Sequence, residues 1–239
     1  MKKIVKRVLI IAGALFALLI GIGLFYYIPM LLMTPAETGK IQNADIYTIN
    51  NAGSNIYFIK TDDGYIMIDA GMNAKKTGDS LKEAGINANE VKWIFLTHSD
   101  GDHVAALTLF PNADIYMSKD ELPLVNGTMK RSIFGGNKMP SGVNIEKITL
   151  LSNGQKLFLN GIKLECISAP GHTTGSMLYL IADRYLFTGD AFKIKNGKVS
   201  VHPYTMDANT GKKTIERSRE KINSGYIILT AHYGLHSGE

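Results

Sequence analysis

The 239-residue chain has a single cysteine, Cys166, and a single tryptophan, Trp93. One thiol excludes an intramolecular disulfide and any zinc site built from cysteines. Cys166 shares one face of a predicted strand with Leu164 in KLECISAP and reads as a small apolar core residue. Charge is missing altogether between Val8 and Met33. An excess of positive charge is missing from most of the chain as well. The formal net charge is +5, but Lys2, Lys3, Lys6 and Arg7 supply four of those positives, so everything after the apolar run carries +1. A phosphate-binding surface needs clustered Lys and Arg, and no nucleic-acid partner is expected. No internal repeat or low-complexity tract interrupts residues 34 to 239, a length that suits one domain with a proper core.

What is present first is a long apolar run, VLIIAGALFALLIGIGLFYYIPMLLM. About 20 apolar residues cross a bilayer as a helix, whereas the apolar part of a secretory signal runs to roughly 7–15. No polar stripe marks a solvent face, which argues against a core helix of a soluble domain. The preceding cations are expected to stay in the cytoplasm, with Tyr26 and Tyr27 toward the far interface. The expectation is therefore a basic tip and transmembrane anchor over residues 1–33, a linker TPAETGK over 34–40, and a domain over 41–239. That places a single-pass protein in the cell membrane with its domain outside the cytoplasm. Thr34-Pro35-Ala36 also offers small residues for a cut after Ala36, which would make the domain secreted.

Hydrophobic alternation predicts strands at Ile46–Ile49, Asn55–Lys60, Tyr65–Asp69, Trp93–Leu96 and Ala113–Met117. Further strands are predicted at Ile145–Leu150, Lys156–Leu159, Ile162–Ile167, Met177–Ile181, Tyr185–Thr188 and Tyr226–Thr230. Helices are predicted over Ala74–Ala84 with Gly85 as its stop, Val104–Phe110, Lys119–Val125 and Asn209–Ile222. Asn126 to Ser141, rich in Gly, Asn, Lys and Ser, reads as a loop. Strands in both halves with helices between them predict two packed sheets with helices outside.

The chemistry-bearing residues gather at strand ends. Of the six histidines, His98 and His103 fall in one six-residue run with two carboxylates, His98-Ser-Asp100-Gly-Asp102-His103, directly after a predicted strand. Imidazole nitrogen and carboxylate oxygen together suit zinc and similar divalent ions. The competing reading is a helix start capped by Asp100 or Asp102.

This run resembles the His-x-His-x-Asp-His signature of the metallo-β-lactamase superfamily. The other motifs of that family appear in order: Asp69 in YIMIDAG, His172 in APGHTTGS, Asp190 in LFTGDAF and His232 in LTAHYG. The resemblance covers nearly everything after residue 40 and implies an α+β fold, a four-layer αβ/βα sandwich. It implies two divalent metal ions, zinc first, with iron or manganese as alternatives. One ion would take His98, His172 and Asp100; the other would take Asp102, His103 and His232. Asp190 would bridge them, and Asp69 would orient the metal loop through hydrogen bonds. Asp102 would be the catalytic group that receives a proton or orients the nucleophile.

The chain departs from the family pattern twice. Asp100 stands where the signature has its second histidine, which makes the loaded site formally neutral and favours a weaker Lewis acid or a shift toward iron or manganese. Only seven residues follow His232, so the helix usual there is missing and one face of the second sheet should be less covered. His202, in HPYTMD, and His236 match no ligand motif and are expected to lie outside the metal set; His202 or Tyr204 would approach substrate. Lys193 and Lys195 read as a solvated hairpin. The resemblance implies a hydrolase that turns a metal-bound hydroxide on a small ester, thioester, lactone or β-lactam-type substrate. The alternatives are a di-iron redox protein, a phosphodiesterase and an inactive surface binding module. The partners implied are a small-molecule substrate and, through the N-terminal helix, a membrane.

Overall fold

A computed structural model describes residues 2–42, 44–131 and 137–237. The chain forms two compact units, Met1–Met33 and Thr34–Glu239. The first is one helix, α1 (Lys2–Leu31), with Pro29 in its last turn. At a mean hydropathy of 2.8 it is long and apolar enough to cross a membrane, a property that signal sequences share.

The second unit begins with Gly39–Lys40 (β1), Ile46–Asn51 (β2), Ser54–Thr61 (β3) and Gly64–Ile68 (β4). Helix α2 (Ala74–Ala84), strand β5 (Val91–Leu96), the single turn α3 (Gly101–Val104), β6 (Asp114–Ser118), the single turn α4 (Leu122–Val125) and β7 (Thr149–Leu151) follow. These strands make a seven-stranded sheet in sequence order. It is antiparallel from β1 to β4 and parallel from β4 to β7. The second half contributes β8 (Lys156–Leu159), β9 (Ile162–Ser168), β10 (Met177–Ile181), β11 (Tyr185–Gly189), the hairpin β12 (Lys193–Lys195) and β13 (Lys198–Ser200), helix α5 (Ala208–Ile222), β14 (Ile227–Thr230) and β15 (Leu235–Ser237). Its main sheet has six strands in the order β15-β14-β11-β10-β9-β8, and only β11 and β14 pair in parallel.

Strand alternation explains the layers. In β3, Tyr57 and Ile59 face the second sheet, while Ile56 and Phe58 face α2. In β10, Met177, Tyr179 and Ile181 face the first sheet, and Leu178 and Leu180 turn toward the side of α5. The uninterrupted apolar run MLYLI follows, because both faces of this strand are covered. Cys166 is buried between the sheets, as its setting in the sequence implies. The expected αβ/βα sandwich is thus present. At the end of α5 the outer face opens into a cavity of about 430 Å³ lined by Ile194, Val199, Ile222 and Ile228.

Two buried tyrosines tie the layers together at the strand ends that matter. Tyr57 donates from its hydroxyl to the Thr230 carbonyl at 2.6 Å, and Tyr179 donates to the Leu96 carbonyl at 2.7 Å. Each carbonyl lies two residues before a site histidine, His232 and His98 respectively. Burial pushes both phenols up, so they remain donors.

Some local expectations need correction. The segment at Ile145 is not a strand: Asn144 caps a 3₁₀ turn over Ile145–Lys147, and β7 starts only at Thr149. Helical structure after the metal loop begins at Gly101 rather than Val104 and gives way to a 3₁₀ turn at Leu107–Leu109. Lys119–Val125 divides into a 3₁₀ turn and α4. The strands β1 and β15 have two and three residues, too few for periodicity to reveal. In the loop after Asn126, residues 132–136 lie outside the described residues, as does the side chain of Tyr26.

Residues 34–40, read as a linker, belong to the second unit and are hydrogen-bonded within it. The Thr34 amide donates to the His232 carbonyl at 2.9 Å. The Ala36 amide donates to Asn55 Oδ1 at 2.8 Å, and its carbonyl accepts from Asn55 Nδ2 at 3.0 Å. Asn55 is buried.

Candidate metal centre

The site is built at strand ends on one edge of the sandwich. Asp69 follows β4 in the left-handed region at φ 57° and is buried. That conformation is costly for a residue with a side chain and marks a position that its surroundings over-determine. Its carboxylate accepts from the Thr97 amide and hydroxyl, both at 2.8 Å, and pairs with His103 Nδ1 at 2.9 Å. Thr97 Oγ1 in turn lies 3.0 Å from His98 Nδ1. Because the threonine hydroxyl already donates to Asp69, it accepts from His98. Nδ1 of both His98 and His103 therefore carries hydrogen, which leaves Nε2 of each neutral ring to offer its lone pair. A Cβ at Gly189, which has φ 50°, would overlap Thr97. The glycine before Asp190 is therefore a requirement of close packing against this relay.

The same logic applies across the site. His232 donates from Nδ1 to the Gly53 carbonyl at 2.7 Å. Its Nε2 lies 3.1 Å from Asp102 Oδ2 and 3.2 Å from Asp190 Oδ2. His103 Nε2 is 3.5 Å from Asp102 and 3.7 Å from Asp190. On the other side, His172 Nε2 is 3.0 Å from Asp100 Oδ2 and 3.5 Å from Asp190 Oδ2. His98 Nε2 is 3.5 Å from Asp100. All seven residues proposed from the sequence thus converge, and Asp190 lies at the centre.

Asp100 occupies the N-cap position of α3 but makes no capping hydrogen bond with its side chain. Its carboxylate is held instead by Arg131, through Nε at 2.9 Å and Nη2 at 2.8 Å, and by Asn137 at 2.8 Å. Arg131 also donates to the Tyr204 carbonyl at 2.8 Å and lies 3.1 Å from His172 Nε2. Neither Arg131 nor Asn137 was singled out by sequence reasoning. Both sit in a stretch that shows only loop composition.

His202 joins this cluster. It was expected outside the ligand set, yet its ring is buried inside the cluster, 4.9 Å from the His172 ring and 5.5 Å from the His232 ring. The reason is topological. The β12–β13 hairpin returns the chain to the site before α5 starts, and the Met206 and Asp207 amides are tied to the carbonyls of His172 and Gly171. His236 lies outside the cluster and is bonded through Nε2 to the Tyr233 carbonyl.

Glu121 is a further buried carboxylate that no motif announced. It accepts from the amide and hydroxyl of Ser99, from Thr173 Oγ1 and from the Gly175 amide, at 2.6–3.1 Å. It thereby staples the His98 loop to the His172 loop. A Cβ at Gly175 would collide with the Asp120–Glu121 backbone.

The electrostatics follow from packing these groups out of water. Burial would raise Asp190, but the His202, His232 and His103 imidazoles outweigh it and hold the carboxyl well below the usual range. Asp102 is likewise held low against burial, by His103 and His232. Burial disfavours charge on His232, yet Asp190 and Asp102 push it up to about 10. At His202 burial prevails, and its pKa falls to about 3. Nε2 of His98 and His103, Oδ1 of Asp190 and both ring nitrogens of His202 are buried with no hydrogen-bond partner. Buried polar atoms are rarely left so. Lone pairs of oriented imidazoles facing carboxylate oxygens require positive charge between them. The residues fit a divalent metal, and four groups of three have ligand atoms within 4.8 Å of one another.

Comparison with known proteins agrees. The family model of the Metallo-beta-lactamase superfamily matches residues 50–226, and the chain belongs to that superfamily. It is similar to the probable polyketide biosynthesis zinc-dependent hydrolase BaeB of Bacillus velezensis, 31% identical over 61% of this chain and 58% of that protein. It is also similar to the probable metallo-hydrolase YqgX of Bacillus subtilis, 26% identical over 57% of this chain and 65% of the relative. The chain thus spans less than two thirds of the length of these relatives. In fold it is similar to BJP-1, a subclass B3 metallo-beta-lactamase of Bradyrhizobium japonicum, with a TM-score of 0.64 and 19% identity over 84% of this chain and 79% of the other. An archaeal superfamily protein from Sulfolobus tokodaii gives a TM-score of 0.58 and 19% identity over 82% of each chain.

Proposed function

We propose that this protein is a binuclear metal-dependent hydrolase of small esters, thioesters, lactones or β-lactam-type substrates. We further propose that it acts at the outer face of the cell membrane to which α1 anchors it. The observation that carries the reading is the convergence of buried imidazoles, Asp100 and Asp102 around Asp190, with ring nitrogens left without partners among the described residues. Asp102, His103 and His232 would hold one ion, and His98 and His172 would hold the other. Asp190 lies between them, and Asp100 stands at the His98–His172 end. Zinc is the metal favoured by the imidazole-rich donor set and by the zinc-dependent hydrolase named among the relatives. Two such ions, when bound, supply an acidified water and polarise a carbonyl oxygen.

The chain's own residues do the rest. Asp69 fixes the tautomers of His98 and His103. Gly53 fixes that of His232, and Glu121 fixes the spacing of the two loops. Asp102 is the most exposed of the three site aspartates beside Asp190 and Asp100. Its held-down carboxylate suits it to accept a proton or to orient the attacking water. Arg131, close to Asp100 and His172, contributes a positive charge to the rim of the site. The basic tip before α1 supports a cytoplasmic N-terminus and an outward domain.

The test is elemental analysis of the protein purified without chelator, followed by hydrolysis assays on ester, thioester, lactone, β-lactam and phosphodiester panels. About two zinc per chain and turnover on a carbonyl substrate are expected. Iron with visible absorption would replace the reading with redox chemistry. Absence of metal after reconstitution would leave only a binding module.

A further inference from the structure

His202 and Asp100 stand on the same side of the site, and their bonding differs. Both oxygens of Asp100 are already engaged: Oδ1 by Arg131 Nε and Asn137, and Oδ2 by Arg131 Nη2 and, at 3.0 Å, by His172 Nε2. The guanidinium clamps the carboxylate through two parallel bonds, a strong and geometrically specific pairing. His202 is the reverse case. Its side chain is 1% exposed, neither ring nitrogen has a hydrogen-bond partner, and Nε2 lies 3.7 Å from Asp190 Oδ2. Leaving two polar atoms of a buried ring unpaired costs about 1–3 kcal/mol each, unless something is bound there. The ligand atoms of His172, Asp190 and His202 lie within 4.8 Å of one another, as do those of His98, Asp100 and His172, so it is the unpartnered ring of His202 that separates the two candidates.

We infer that His202 is a metal ligand, and that it supplies from the segment before α5 the imidazole that the metal loop lacks at position 100. The ion on this side takes His98, His172, His202 and Asp190. Asp100 is a positioning residue: it anchors Arg131, and through it the loop after Asn126, beside the ion. The sequence departure at position 100 is thereby offset by a histidine about a hundred residues further along the chain, and the donor set keeps three imidazoles. This inference rests on the binuclear reading above. It is separable from it, because that reading concerns how much metal the wild type holds and this one concerns which side chains hold it.

The experiment compares the full chain in detergent with its His202→Ala, His202→Cys and Asp100→Asn variants. Zinc is titrated against a competing chelator, and cobalt is used as a spectroscopic substitute. His202→Ala is expected to lose one ion per chain, or to bind it at least about 100-fold more weakly, beyond the roughly 10–100-fold typical of losing an outer partner. Asp100→Asn is expected to keep both ions within about tenfold, inside the range of an outer-partner loss. Cobalt-loaded His202→Cys is expected to show a thiolate-to-cobalt charge-transfer band in the near ultraviolet, which a merely structural residue would not produce. Two ions at wild-type affinity in His202→Ala, with no thiolate band in His202→Cys, would overturn the assignment. Loss of one ion in Asp100→Asn alone would return the role to Asp100. A wild type that binds no zinc would overturn the underlying reading and this one with it.

Discussion

The two halves of the site are held in different ways. On the His103–His232 side, each imidazole is fixed by a group on the first sheet: His103 by Asp69 at the end of β4, and His232 by the Gly53 carbonyl in the β2–β3 turn. On the Asp100–His202 side, only His98 is reached from the first sheet, through Thr97; the rest depends on Arg131 and Asn137 and on the segment between β13 and α5. Groups carried by packed strands keep their geometry, whereas loop-borne ones can be rearranged. The sheet-held half should therefore bind metal first and more tightly, and the loop-held half should tune the protein.

The most severe break in that comparison is Asp190→Asn, which removes the carboxylate both halves share. Both ions and all metal-dependent turnover should fall to background, as read by elemental analysis and assay. Next is Glu121→Ala, which strands four buried donors and unlinks the two loops. A loss of about 3 kcal/mol or more is expected in denaturant unfolding of the metal-free protein. Asp69→Asn should sharpen the contrast, because it touches His103 of the sheet-held half directly and reaches His98 of the other half only through Thr97. The tighter ion should weaken about 10–100-fold, while a chelator titration finds the weaker ion less affected. Smallest is Arg131→Met. Removing a cation from beside His172 should strengthen the weaker ion by about tenfold, well inside what a unit charge at this range can supply. An unchanged second affinity would show that Arg131 acts on substrate alone.

The same contrast explains what the sequence could reveal. His98, Asp102, His103, His172, Asp190 and His232 were legible because they stand in motifs that resemble the family's in type and order, on loops between strands. Their motifs are short and local. Asp69 was legible for the same reason at the end of β4. Cys166 was legible as a core residue from its alternation with Leu164. Glu121, Arg131 and Asn137 were not, because their partners lie 22, 31 and 37 residues away and no periodicity connects them. The place of His202 inside the cluster was not legible because its segment has no strand pattern of its own. Only the return of the β12–β13 hairpin brings it to His172. The strand expected at Ile145 failed for a local reason: a short polar side chain, Asn144, bonds the backbone two residues on and turns it.

The bonds that seat Ala36 against Asn55 bear on the order of events during maturation. A peptidase acts on an extended strand, but here the amide and carbonyl of Ala36 are both taken by a buried carboxamide. Any cut after Ala36 would have to come before the second unit folds. It would also leave Asn55 without those two partners and the His232 carbonyl without the Thr34 amide, a loss of about 1–3 kcal/mol for each group left unsatisfied. Where Thr34 and Ala36 are kept, their bonds thus stabilise the fold directly behind a site histidine.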